Sequence, residues 1–155
     1  MNLYLAVKTL HIISATILFG TGLGIAFFMF RSLFTESLPE KFYAVRTTVL
    51  ADYLFTAPAV VIQPATGFWL IARGGFSVTD TWLTATYVLY GLAGACWLPV
   101  VWIQIRLKSL LRESLATGMA LPAEYHYLFR LWAALGIPAF AGLVVIFFLM
   151  VIKPT

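Results

Sequence analysis

Residues 131–152 read LWAALGIPAFAGLVVIFFLMVI, a stretch without a single Asp, Glu, Lys or Arg. A helix crossing the roughly 30 Å hydrocarbon layer of a bilayer needs about 20 predominantly apolar residues, and this stretch meets that length in one piece. Three more charge-free stretches precede it, at Ile12–Phe30, Tyr53–Ala72 and Thr81–Ile105. Only helices and closed barrels satisfy their backbone polar groups inside lipid. Barrel strands would alternate polar and apolar residues over about 10 positions, whereas these stretches are continuously rich in Leu, Ile, Val, Phe and Ala. The reading is an all-α, four-helix transmembrane bundle with antiparallel neighbours, its spans at about 5–30, 50–72, 82–106 and 128–152.

Composition agrees. The chain of 155 residues is 62% hydrophobic and only 10% charged, with a mean hydropathy of +0.95, against about 25% charge in a soluble domain. Four spans and their connections use nearly the whole length, so residues 1–155 form a single membrane domain. No cationic region precedes the first apolar run, which is expected to be kept as a span rather than removed as a signal peptide. One cysteine, Cys96, lies in the third span and forms no intramolecular disulfide.

The basic residues are unevenly placed. Arg31, Lys41, Arg46, Arg106, Lys108, Arg112 and Arg130 fall at the two connections 1–2 and 3–4; Lys8, Arg73 and Lys153 fall at the other end. The positive-inside tendency then puts both termini outside and the basic loops in the cytoplasm, as expected for a multi-pass protein of a bacterial inner membrane. Basic loops beside anionic headgroups account for the net charge of +4. With no dense basic run, nucleic-acid binding is not expected. Ser37-Leu38-Pro39-Glu40 reads as the cap and first turn of a short interfacial helix, Gly74-Gly75 as the stop of the second span, and Arg112 to Tyr125 as a surface loop with a helical start.

Several residues could carry chemistry. Asp52, Thr56, Ala59, Gln63 and Thr66 are spaced by four, three, four and three, which places a polar stripe on one face of the second span. Such a stripe looks into the bundle, onto either another helix or a wet cavity; it is also a possible polar pathway for a small transporter. Asp52, beside Arg46 and Tyr53, reads first as a paired interfacial acid and second as a proton relay. His11 is the leading candidate, because an ionisable group inside a span is a functional hypothesis by default. Lys8 precedes it by one turn on the same face. Antiparallel counting brings Gln63 or Thr66, Tyr87, Tyr90 and part of Val144–Phe148 to its depth. These partners suit a haem or porphyrin edge, a quinone, or a histidine satisfied by neighbouring helices. His126 lies on the order of 25–30 Å away along the bundle axis, too far to share an iron with His11, and sits between Tyr125 and Tyr127 as part of an interfacial aromatic belt. Scattered methionines, one cysteine and two distant histidines form no metal cluster. Pro58, Pro64, Pro99 and Pro138 each remove a backbone donor inside a span.

The chain resembles a bacterial family of small predicted integral membrane proteins without assigned function, through Lys8-Thr9-Leu10-His11-Ile12-Ile13, Gly20-Thr21-Gly22-Leu23-Gly24 and the run from Ala51 through Pro58 to Gly67. It is more distantly similar to HemJ-type protoporphyrinogen oxidases and CopD-like membrane proteins, at Lys8 through His11, Trp82, Phe129-Arg130 and Val151-Ile152-Lys153-Pro154. That resemblance implies His11 as a haem ligand or catalytic histidine; together with the depth counting, the expected site is a b-type haem or porphyrin held by His11, with Lys8, Gln63, Thr66, Tyr87, Tyr90 and Arg130 around the cofactor. Where the oxidases carry a lysine after the tryptophan this chain has Thr86, and where they carry an Asn-Glu pair it has Ala133-Ala134. These departures leave cofactor binding with electron transfer or tetrapyrrole handling as the expectation, without the oxidase activity. A redox partner or a homo-oligomer would complete such a site. The alternative is a noncatalytic membrane subunit, or a small transporter, with no cofactor.

Overall fold

The structure, a computed structural model, describes residues 2–154. Its described residues form five α-helices, a 3-10 turn and a π turn, with no strand among them. Helix α1 (Leu3–Arg31) starts at Asn2, whose side chain accepts from the Tyr4 backbone N–H at 3.0 Å, the usual way to satisfy a first-turn donor. A 3-10 turn (Ser32–Phe34) leads to α2 (Leu38–Ala51), capped by Ser37, which accepts from Glu40 N–H. Glu40 in turn accepts from the Thr35 hydroxyl at 2.6 Å. A π turn (Asp52–Thr56) joins α2 directly to α3 (Ala57–Gly74), which ends at Gly75 with φ of 72°. Helices α4 (Thr81–Thr117) and α5 (Ala123–Ile152) follow. Four helical rods, α1, α2 to α3, α4 and α5, are long and apolar enough to cross a membrane.

The short helix expected after Ser37 is therefore not a separate interfacial element. It runs without a break into the second span, because no glycine or proline lies between Lys41 and Ala57. The π turn falls in the turn before Pro58, which brings no N–H to the ladder and whose ring crowds the preceding carbonyls. The helix accommodates this by widening, so that Ala57 N–H bonds to Asp52 O.

The other two spans also overrun the charge-free stretches. Helix α4 continues past Arg106 to Thr117 since Leu107, Leu110, Leu111 and Ser114 stay buried on one face while Arg112 and Glu113 are exposed on the other. Gly118, with φ of 70°, ends it. Helix α5 starts at Ala123, and Tyr125 is fully buried rather than part of an aromatic belt; His126 and Tyr127 are the exposed members. Arg106 and Glu124 bridge these extensions through two bonds of 2.7 and 2.9 Å.

Helix α1 packs along α3, α4 along α5, and α2 against α4. At the end carrying the loops 32–37 and 118–122, a core forms from Ile25, Met29, Val45, Ile103, Leu107, Leu111, Tyr125 and Trp132. At the end carrying the termini, Ile71, Trp82 and Leu83 pack with Phe76 and Leu149, and the Lys153 ammonium lies over the Phe76 and Trp82 rings. Between these ends the pairs meet through aromatic side chains such as Phe19 on Phe140 and Phe68 on Tyr87. Most of the outer apolar surface is exposed, as a lipid-facing bundle requires.

Candidate functional site

The seam between α1 and α3 is tied by polar side chains. Ser14 Oγ donates to Ala59 O at 3.3 Å, and one turn nearer the terminal end His11 Nδ1 lies 2.8 Å from Thr66 Oγ1. The Thr66 hydroxyl also lies 2.7 Å from Ile62 O and 3.2 Å from Gln63 O. A hydroxyl has one proton, and a carbonyl only accepts, so that proton goes to the α3 backbone. Thr66 Oγ1 must then accept from His11, which assigns the neutral Nδ1–H tautomer. Nε2 keeps its lone pair and meets only the Gln63 amide, at a long 3.4 Å.

Gly67 makes this approach possible. A Cβ there would stand 3.4 Å from His11 Cε1, so the imidazole edge rests on bare backbone. The fold thus brings His11 to Gln63 and Thr66, as the sequence pattern anticipates, and adds Gly67, which the pattern did not single out.

The remaining residues expected around His11 make no hydrogen bond to it. Tyr90 donates its hydroxyl to Val60 O at 2.7 Å. Val60 is the residue whose i+4 partner is Pro64, so its carbonyl has no helical donor, and Tyr90 supplies one from α4. The Tyr87 ring stacks on Phe68 with its hydroxyl unpartnered. Lys8 is exposed. Arg130 is exposed near the opposite end of the bundle, its Nε donating to His126 O. Lys8 was expected there as the residue one turn before His11 and Arg130 through the resemblance; Lys8 extends to the surface from the face it shares with His11, and Arg130 lies near the start of α5 at the other end.

The other half of the stripe forms a second cluster. Asp52, Thr56, Ala59 and Thr66 are all buried, so the stripe faces the bundle. Asp52 is not paired with Arg46, whose guanidinium lies over the Phe42 and Tyr43 rings instead. Around the Asp52 carboxyl group stand Thr56, Trp97 and Gln104. The last two come from α4 and were not expected from the sequence. Their only signal is a spacing of seven residues, two helical turns on one face, and an amide in an apolar run.

Chemically, the two clusters differ. His11 offers a basic nitrogen lone pair near an amide and a helix backbone; Asp52 offers a carboxyl group among neutral polar neighbours. Among the described residues no group of three or more His, Cys, Asp or Glu side chains gathers to hold a metal ion. For a haem the donor atom fits, since a neutral imidazole fixed by a bond at Nδ1 is the form that ligates iron through Nε2. Gln63 Oε1 and Tyr87 OH, buried and unpartnered, are polar atoms that a cofactor edge would satisfy. Two grooves on the α1–α3 face, one lined by residues such as Leu10, Ser14 and Pro58 and the other by Thr16, Gly20 and Phe55, do not include His11. Gln63, whose amide lies 3.4 Å from Nε2, would have to turn aside for His11 to hold a haem there.

Comparison with curated proteins returns no match, and comparison with solved structures returns none. The model of the DUF2269 family, described as a predicted integral membrane protein, matches residues 5–154; a chain with four membrane-length helices and a match over nearly its whole length belongs to that family.

Proposed function

We propose that this membrane protein binds a b-type haem or porphyrin through Nε2 of His11, for electron transfer or tetrapyrrole handling. The observation that carries the reading is the 2.8 Å contact between His11 Nδ1 and a Thr66 hydroxyl that donates to Ile62 O: Thr66 then accepts from Nδ1–H, and Nε2 keeps its lone pair for a metal. The resemblance read from the sequence at Lys8 through His11 points to the same residue. When bound, a haem supplies one-electron chemistry whose potential depends on the axial donor and its burial. The chain's own part is to hold the imidazole. Thr66 orients it, Gly67 gives its edge room, and Gln63 yields the position next to Nε2. The oxidase activity is not carried over, since Thr86, Ala133 and Ala134 stand where that family has its polar groups. Because His126 lies near the other end of the bundle, a second axial ligand would come from another group, water, a redox partner or a second copy of the chain. The same reading places the protein in a bacterial inner membrane with both termini outside.

The test is an oxidised and dithionite-reduced absorption spectrum of the detergent-purified protein beside His11→Ala. A Soret band with reduced α and β peaks, lost in the variant, is the expected result. A featureless spectrum that persists after haem reconstitution overturns the proposal.

One observation favours a second reading, a noncatalytic packing subunit. His11 to Thr66, Ser14 to Ala59 and Tyr90 to Val60 each join two helices. A colourless protein in which His11→Ala changes only stability would select it.

A further inference from the structure

The Asp52 cluster lies eleven residues along the helix from Gln63, about 16 Å at 1.5 Å per residue, and the haem proposal makes no use of it. Asp52, Thr56 and Gln104 are exposed by only 4%, 5% and 1%. Asp52 Oδ2, Thr56 Oγ1, Gln104 Oε1 and Trp97 Nε1 are all buried without a hydrogen-bond partner. Unpartnered polar atoms are costly even in a soluble core, and here four of them converge within the span. Three are oxygens, two from the π turn and one from α4.

Charge sharpens the point. An ionised carboxylate out of water needs a compensating charge, and none is in contact. Helix α1 has no charged residue between His11 and Arg31, and α4 has none between Thr81 and Arg106. The titratable groups of α4 in this stretch are Tyr87, stacked on Phe68, Tyr90, bonded to Val60 O, and Cys96; the nearest basic residue of α2, Arg46, is stacked on its own aromatic neighbours. Among the described residues the one ion pair is Arg106 with Glu124, both partly exposed. The side chains that do surround Asp52 are neutral.

The widened turn adds to this. The turn carries both Asp52 and Thr56, and irregular backbone at membrane depth is tolerated where it is buried in protein or lines a cavity. We propose that the buried cluster of Asp52, Thr56 and Gln104 at the π turn binds one exchangeable positive charge, an alkali cation or a proton, held by the three side-chain oxygens. A single carboxylate matches a monovalent charge. Trp97 N–H, beside the same carboxyl group, is the one unpartnered donor of the four.

The experiment uses the full chain in detergent, as wild type, Asp52→Asn and Gln104→Leu. Thermal unfolding is followed in choline, sodium and potassium chloride at equal ionic strength, and infrared difference spectra are taken between acid and alkaline buffer. If an alkali cation is held, the wild-type midpoint rises with sodium or potassium over choline, as expected for a ligand that binds only the folded state. Asp52→Asn abolishes that rise and Gln104→Leu weakens it. If a proton is held, the midpoint ignores the cation, but the spectra show a protonated carboxyl band that titrates and is absent from Asp52→Asn. A wild type with neither signal, or with signals that survive in Asp52→Asn, overturns the proposal: the three neutral neighbours would then suffice. Asp52→Asn leaves His11 untouched, so the haem spectrum and this site fail independently.

Discussion

The Tyr90 hydroxyl stands 2.7 Å from the Val60 carbonyl, the backbone acceptor that Pro64 leaves without a donor. A residue on one helix thus repairs a defect that proline creates on another, and α3 keeps its helical course through Pro64. Interhelical hydrogen bonds in membranes contribute about 0.6 kcal/mol on average and up to about 1.7. Tyr90→Phe should accordingly lower stability by about 1 kcal/mol in that range. Pro64→Ala restores the N–H that Val60 lacks, so Tyr90→Phe should cost less in that background. Unfolding of the two single variants and the double variant in detergent measures the coupling; additive losses would reject the repair.

Thr66 is the residue that sets the histidine's tautomer, so its replacement should act through His11. Thr66→Val keeps the shape and removes the acceptor, leaving a buried Nδ1–H unpaired at a cost of about 1–2 kcal/mol. Thr66→Ser retains the oxygen and should stay close to wild type. Comparing both variants in the His11→Ala background checks the mechanism. There the difference between Val and Ser should shrink, because the proton that needed Thr66 is gone.

Gly67 gives a prediction whose sign depends on size. A methyl group would stand 3.4 Å from His11 Cε1, tight but within what a small ring adjustment absorbs, and alanine is a better helix former than glycine by up to about 1 kcal/mol. Gly67→Ala should be close to neutral. Gly67→Leu drives a branched chain into the imidazole and should cost about 1–3 kcal/mol, as other overpacked sites do. Thermal midpoints in one detergent separate the two.

The spans were legible because lipid imposes a simple rule, the exclusion of charge over a helix's length, and the four charge-free stretches obey it. Their ends were not, since Arg106, Arg112 and Glu124 sit on or beside helices whose other face remains buried through Leu107, Leu111 and Tyr125; a charge excludes lipid, not helix. The grouping of His11 with Gln63 and Thr66 followed from counting depth in antiparallel helices. Tyr87 and Tyr90 share that depth but turn to Phe68 and Val60, and depth alone says nothing of rotation about a helix axis. Trp97 and Gln104 went unnoticed for a related reason: an isolated amide has no periodicity of its own. What gives it meaning is Asp52 across the seam, together with a π turn that only the crowding by Pro58 hints at.

Orientation in the membrane offers a last prediction. Seven of the ten basic residues lie at the end with the loops 32–37 and 118–122. Of the three at the other end, Arg73 lies over Trp69 and Lys153 over Phe76 and Trp82, the pairing of cation and aromatic ring that anchors a chain at an interface. The imbalance of charge that orients insertion is thus concentrated in the two basic loops, which should face the cytoplasm. In a Cys96→Ser background, Ser77→Cys in the 75–80 connection should react with a membrane-impermeant maleimide on intact cells, and Ala120→Cys only after permeabilisation. Both positions are exposed, so a failure to label reports sidedness rather than burial, and the reverse pattern would place the termini in the cytoplasm.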